Sequence, residues 1–178
     1  MKVKASILNA IRNNSPLVHN ITNYVVMNNT ANALLSVGAS PVMAHSLDEV
    51  EDIISISSSL VINMGTLSEL WVESMIKAGK KANELKKPIV FDPVGVGASS
   101  YRTKVAKEII EKISPSIIRG NASEIMVLAK LSSVTKGVDS TAKTVEALDG
   151  AIQLSKELNN TVVVSGETDY IVTRDKVS

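Results

Sequence analysis

Four short, unbroken apolar runs recur along this chain: SLVINMG (59–65), PIVFDP (88–93), SIIRG (116–120) and TVVVSG (161–166). None shows the apolar–polar alternation of a half-exposed strand. A strand reads as continuously apolar when both of its faces are covered, as in parallel sheets sandwiched by helices. The stretches between the runs have helical periodicity. Val3 to Asn14 places Ile7, Leu8 and Ile11 on one face, and Tyr24 to Val37 ends at Gly38, a natural C-cap. Ser46 with Glu49 forms a capping box for a helix through Ile56, and Thr66 with Glu69 forms another for a helix to about Leu85. Thr103 to Ile113 is a helix stopped by Pro115, NASEIMVLA is a helix, and Thr141 to Leu158 is one more after a loop through KGVDS. SPLVHNITN reads as a polar, Pro-initiated loop, SPVMA as a short extended run and YIVT as a further strand. The prediction is an α/β fold with a mostly parallel sheet covered by helices on both faces. No linker, repeat or low-complexity segment interrupts it, so residues 1–178 read as a single domain.

Composition narrows the function. Aromatic residues make up only 3%, so the core must come from Ile, Val, Leu, Ala and Met. A formal net charge of +1 predicts no general attraction to nucleic acid or to an acidic membrane surface. The absence of cysteine removes disulfides, thiolate metal sites and cysteine nucleophiles, and fits a reducing compartment. The first residues are too polar for a signal peptide, and no apolar run is long enough to span a bilayer, so the expected location is cytoplasmic.

Ligands of open parallel sheets bind outside the carboxyl ends of the strands. The residues that succeed each apolar run are therefore informative. Asn63, Gly65 and Thr66 succeed the first, and Asp92, Pro93, Gly95 and Gly97 the second. Arg119, Gly120, Asn121 and Glu124 succeed the third, and Ser165, Gly166, Glu167 and Asp169 the fourth. Turns favour such residues on their own account, but four exits carrying Asp92, Arg119 and Glu124 suggest a site. Asn121 and Glu124 have the spacing of a capping box, and the same helix N-terminus can bind phosphate. Arg119 after two β-branched residues suits an anion, and Asp92 suits either a turn or a hard cation such as Mg²⁺. GVGASS lacks the third glycine of a dinucleotide fingerprint, and no GxxxxGK[ST] segment occurs. His19 and His45 are not at metal-ligand spacing and read as loop or surface histidines; Trp71 and most of the methionines read as packing residues.

The run HNITNYVVMNNTANALLSVGASPVMAHSLDEVEDI resembles the opening of hydroxyethylthiazole kinases, and INMGTLSE, FDPVGVGASSYRT, IIRGNASEI, KGVDS and VVVSGETDY come after it in that family's order. That family belongs to the ribokinase-like α/β kinases. The resemblance implies ATP-dependent phosphorylation of 4-methyl-5-(2-hydroxyethyl)thiazole, with Mg²⁺, in thiamine salvage. It implies ATP contacts from Arg119, Asn121 and Ser165, the last at a position where the family commonly has threonine. It implies that Glu124 and Asp92 face the metal, and that Asn23 and Met43 line the thiazole pocket. It also implies a homotrimer with sites between subunits. The family pattern continues beyond Ser178 into a glycine-rich GxGC-type segment that supplies the anion hole and a cysteine. The chain therefore reads as the N-terminal two-thirds of the pattern, and no catalytic base is expected within it. A non-catalytic form that binds ATP or the thiazole alcohol is the alternative expectation.

Overall fold

The computed structural model describes residues 5–132, 143–174 and 176–178. The chain divides into two units, residues 1–88 and 89–178. The first unit runs α1 (Ala5–Asn14), β1 (Leu17–Ile21), α2 (Met27–Val37), β2 (Ser40–Val42), α3 (Val50–Ile56), β3 (Ser59–Asn63) and α4 (Glu69–Glu84). Its strands are parallel in the order β2-β1-β3, with Leu17 beside Ser40 and Val18 beside Ser59. Helices pair as α1 with α2 and α3 with α4. Trp71, Met75, Ala78 and Ala82 fall on one face of α4 and are buried, and α4 packs on β1 and β3.

β1 overturns one expectation. SPLVHNITN contains the central strand of this unit, not a loop. Its polar residues hid it, because His19 is 0% and Asn20 1% exposed. Each side chain makes one bond to main chain: His19 Nε2 to the Ala44 carbonyl at 2.8 Å and Asn20 Nδ2 to the Val18 carbonyl at 2.8 Å. Such pairing is what lets polar groups sit inside.

Helix starts also shift. Ser46 does not cap α3; its Oγ accepts from the Asp48 N–H at 3.4 Å and its carbonyl begins a turn ahead of the helix. The cap of α4 is Ser68, whose Oγ accepts from the Trp71 N–H at 3.3 Å, and not Thr66. Gly38 closes α2 at φ +96°, as its position predicted. Lys87 Nζ donates to the carbonyls of Ile54 (2.7 Å), Ser55 (2.7 Å) and Ser57 (2.5 Å). A cation thus closes the carboxyl end of α3, where the helix dipole favours one.

The second unit runs β4 (Ile89–Asp92), α5 (Ser100–Lys112), β5 (Ile117–Asn121), α6 (Ala122–Ser132), α7 (Lys143–Leu158), β6 (Thr161–Ser165), β7 (Tyr170–Thr173) and β8 (Lys176–Val177). KGVDS lies outside the described residues. β4, β5 and β6 are parallel neighbours, with Val90 beside Ile117 and Ile118 beside Val162. β7 then pairs antiparallel with β6, and β8 antiparallel with β7. α5 begins earlier than its apolar pattern suggested, because Ser99 Oγ accepts from the Arg102 N–H at 3.2 Å. Ile89, Phe91, Ile109, Ile118, Ile125 and Leu128 are all 0% exposed and form the core of this unit. The fold is α/β and mostly parallel. Among the described residues no helix is long and apolar enough to cross a membrane.

Candidate functional site

In the second unit the carboxyl ends of β4, β5 and β6 bring five of the predicted residues to one edge: Asp92, Arg119, Asn121, Glu124 and Ser165. The chain leaves Asp92 through two consecutive turns, Val96 N–H to Pro93 O and Ala98 N–H to Gly95 O, each at 3.0 Å. These turns need left-handed backbone, and Gly95 and Gly97 supply it at φ +73° and +89°. The Gly95 N–H donates to Glu124 Oε1 at 2.9 Å. The other carboxylate oxygen, Oε2, accepts from the Asn121 N–H at 2.9 Å, while Asn121 Oδ1 accepts from the Glu124 N–H at 3.0 Å. The capping box read from the sequence is therefore formed. Glu124 does more than cap, because its second oxygen fastens the loop after β4 to the helix start after β5.

Arg119 points its side chain outward from β5, 54% exposed, with Nη1 3.8 Å from Asp92 Oδ2. An ion pair this long and exposed contributes little stability, and its guanidinium retains capacity to meet an anion. Ser165, opposite Asn121 in the register, donates its Oγ proton to the Gly120 carbonyl at 3.2 Å. A Cβ on Gly120 would stand 3.2 Å from Glu124 Oε2, so the glycine leaves the carboxylate room to fold back. The edge combines a cation, two carboxylates and a helix N-terminus, a set suited to a phosphate that carries its own metal ion.

In the first unit Asn23 and Met43 come after the carboxyl ends of neighbouring strands β1 and β2. Met43 is half-buried and Asn23 only 6% exposed. The Asn23 amide is held on both sides. Nδ2 donates to Asn63 Oδ1 at 2.7 Å, and Oδ1 accepts from the N–H groups of Val25 (2.9 Å) and Val26 (3.1 Å) at the approach to α2. Asn63 Oδ1 also accepts from the Gly65 N–H at 2.9 Å. In the order β2-β1-β3 the chain reverses its direction of travel at β1, so the gap between the carboxyl ends of β1 and β3 is a switch point where ligands of such sheets bind. The Asn23–Asn63 bond spans that gap. Nearby, Trp71 is flanked by the rings of His45, stacked at 4.5 Å, and Tyr24, edge-on at 4.7 Å.

His19 is buried, not a loop or surface residue. The Ala44 carbonyl can only accept, so His19 Nε2 carries the proton, and Nδ1 has no hydrogen-bond partner among the described residues. Burial holds its pKa below the ordinary 6.5, against the opposing effects of the Ala44 bond and the Glu49 charge. The unfolded chain then binds the proton more readily than the folded one. Stability is full above pH 6.5 and is lost as the pH falls from there toward the lowered folded value. His19→Gln should flatten the decline of melting temperature between neutral and mildly acid pH. Parallel declines in the two proteins would show that His19 is not the group responsible.

Comparison with known proteins decides the family. The profile of the Hydroxyethylthiazole kinase family matches residues 8–178. The chain belongs to that family. It is 55% identical over 165 residues to the hydroxyethylthiazole kinase of Leptospira biflexa serovar Patoc, covering 93% of this chain and 62% of the relative. It is 56% identical over 167 residues to that of Brachyspira hyodysenteriae, covering 94% and 63%. The chain thus spans a little over three-fifths of the length of these relatives. Among solved structures, a hydroxyethylthiazole kinase from Pyrococcus horikoshii OT3 superposes with a TM-score of 0.87 at 44% identity, covering 97% of this chain and 64% of that one. An adenosine kinase from Trypanosoma brucei brucei, with a TM-score of 0.59 at 13% identity over 98% of this chain and 64% of that one, shares the ribokinase-like fold.

Two contacts in this member of the hydroxyethylthiazole kinase family, one in each unit, were not anticipated. Arg102 Nη1 donates to the Val94 carbonyl at 2.8 Å and holds the glycine loop from the side of α5. Its sequence signals are its place in the first turn of α5 and within the FDPVGVGASSYRT motif. Asn63 was visible as an exit residue, but its bond to Asn23 crosses 40 residues and no local pattern announces it.

Proposed function

We propose that the chain serves ATP-dependent phosphorylation of the hydroxyethyl group of 4-methyl-5-(2-hydroxyethyl)thiazole, the thiamine-salvage reaction. Family membership supplies the reaction class. The observation that supports a nucleotide role for this edge is the Glu124 carboxylate, which ties two strand exits together beside the outward-facing Arg119 guanidinium. In this reading Arg119, Asn121 and Ser165 bind ATP. Phosphoryl transfer depends chiefly on positioning and charge stabilisation. Arg119 meets phosphate oxygens, the start of α6 offers its positive dipole end, and Glu124 fixes the loop that must track the phosphates.

Asp92 and Glu124 are the residues proposed to face Mg²⁺. Among the described residues no group of three or more His, Asp or Glu side chains could hold a metal ion. Two carboxylates fit a cation that keeps its waters and arrives on the phosphates, and not a metal bound in a closed protein cage. When bound, such a cation neutralises phosphate charge. Asn23 and Met43 are proposed to line the thiazole pocket, where the Asn23–Asn63 bond fixes the amide. The remaining proposals are one kinase domain over residues 1–178, a homotrimer with sites between subunits, and a cytoplasmic location.

The test is Arg119→Ala, read by ADP affinity and melting temperature. The side chain is half-exposed, so the contact should fall at the low end for charge-assisted bonds, about 1.5 kcal/mol, or roughly tenfold in affinity. Stability should be unchanged to within about 0.5 kcal/mol. Parental ADP affinity in the variant would remove Arg119 from the nucleotide site.

A further inference from the structure

The amino ends of the strands in the second unit carry a separate group of polar side chains, on the edge opposite Asp92 and Glu124. The register sets Ile117, Thr161 and Thr173 side by side, so Ser116, Asn160 and Arg174 lie just beyond that row. A cavity of about 820 Å³ opens there, lined in part by Ser116, Asn159, Asn160, Thr161, Arg174 and Lys176. That volume is within the range of small-molecule sites.

The walls are fixed from beneath. Ser155 is 0% exposed, and its Oγ donates to the Asn160 carbonyl (2.5 Å) and accepts from the Arg174 N–H (2.8 Å), so one buried hydroxyl ties both sides of the cavity. Asn160 Nδ2 donates to the Pro115 carbonyl at 3.3 Å and ties in the third. Asn159 and Arg174 sit at φ +50° and +54°, a left-handed backbone that costs a side-chain-bearing residue about 1 kcal/mol.

The described lining of this cavity carries two cations, Arg174 and Lys176. Arg174 Nε and Nη2 both donate to Asn159 Oδ1, at 3.2 and 2.6 Å. A neutral amide orients the guanidinium without cancelling its charge, and the other side of its planar fork is left to bond elsewhere. Among the described residues no carboxylate lines the cavity, and none lies within ion-pair distance of Arg174 or Lys176. Two cations beside hydroxyls and amides match phosphate oxygens, while Asp175, between them in the sequence, lies outside the described residues.

We propose that this cavity binds a phosphorylated small molecule, at a site separate from the strand-exit edge. Arg174 and Lys176 meet the phosphate, and Ser116, Asn159 and Thr161 meet the remainder. The test monitors the backbone amide signals of Thr161, Arg174 and Lys176 by NMR while inorganic phosphate is titrated at constant ionic strength. The expected result is a saturating shift at these amides. The affinity should fall at least tenfold in Arg174→Asn/Lys176→Gln and change less than twofold in Arg119→Ala. Asparagine tolerates the left-handed backbone at position 174, and Lys176→Gln alone should give a partial loss if the double variant folds poorly. No saturating shift at these amides, an unchanged affinity in the folded variants, or shifts confined to the Asn121 and Glu124 amides would each overturn the proposal. The last outcome would assign phosphate to the strand-exit edge and leave the kinase reading intact.

Discussion

Gly65→Ala should lower the stability of the chain by about 2–4 kcal/mol, adding the typical cost of overpacking to that of disturbing a buried hydrogen bond. A Cβ at this position would stand 2.6 Å from Asn23 Nδ2 and 2.9 Å from Asn23 Cβ and Cγ. Asn23 has nowhere to retreat, since its Oδ1 holds two N–H groups and its Nδ2 holds Asn63. Either the β3 exit shifts or the amide gives up its bonds. Gly166→Ala is the control, because the nearest atom to its Cβ would be a carbonyl oxygen at an ordinary 3.7 Å. Urea or thermal unfolding of the two variants reads the difference. Equal, small losses would mean that the Asn23 amide yields easily and that the clasp is not rigid.

The second large effect is expected at Glu124→Gln. Glutamine serves as well as glutamate in an ordinary capping box, so sequence reasoning alone expects little change in stability. The structure predicts otherwise, because both carboxylate oxygens accept from main-chain N–H groups, those of Gly95 and Asn121. Glutamine has one oxygen, so its NH₂ must oppose one of the two donors. The expected loss is about 1.5–3 kcal/mol of stability. ADP affinity at fixed Mg²⁺ should fall with it, at least tenfold, since the loop after β4 is released. Unfolding midpoints and ADP titrations of the variant measure both. A glutamine variant with parental stability would show that the cap alone matters and that the Gly95 contact contributes nothing.

Legibility tracked locality. β3, β4, β5 and β6 were readable because each is a continuous apolar run, and their exits pointed to Asp92, Arg119, Asn121 and Glu124 from residue type and position, while Ser165 was singled out by the family resemblance. β1 was not, because its centre is His19 and Asn20, whose burial depends on the Ala44 and Val18 carbonyls finding them. β8 has two exposed residues and no pattern to read. The caps were missed narrowly. Ser68 lies two residues after Thr66, and the choice between them rests on backbone geometry that the side-chain types do not encode. At the site, residue types were legible and contacts were not. Gly95 and Glu124 are 29 residues apart, and only the parallel pairing of β4 with β5 brings them together.

The change from parallel to antiparallel pairing at β6 bears on how the second unit assembles. Val164 and Tyr170 pair across six residues of sequence, whereas Ile117 and Thr161 pair across 44. A loop that short closes in about 10–100 ns and a hairpin forms in about 1–10 μs. The longer closure carries a larger entropy cost before any contact rewards it. β6 can therefore meet β5 with β7 already beside it. One of its two hydrogen-bonding edges is occupied during the slow search, which halves the strand edge available for pairing with another chain.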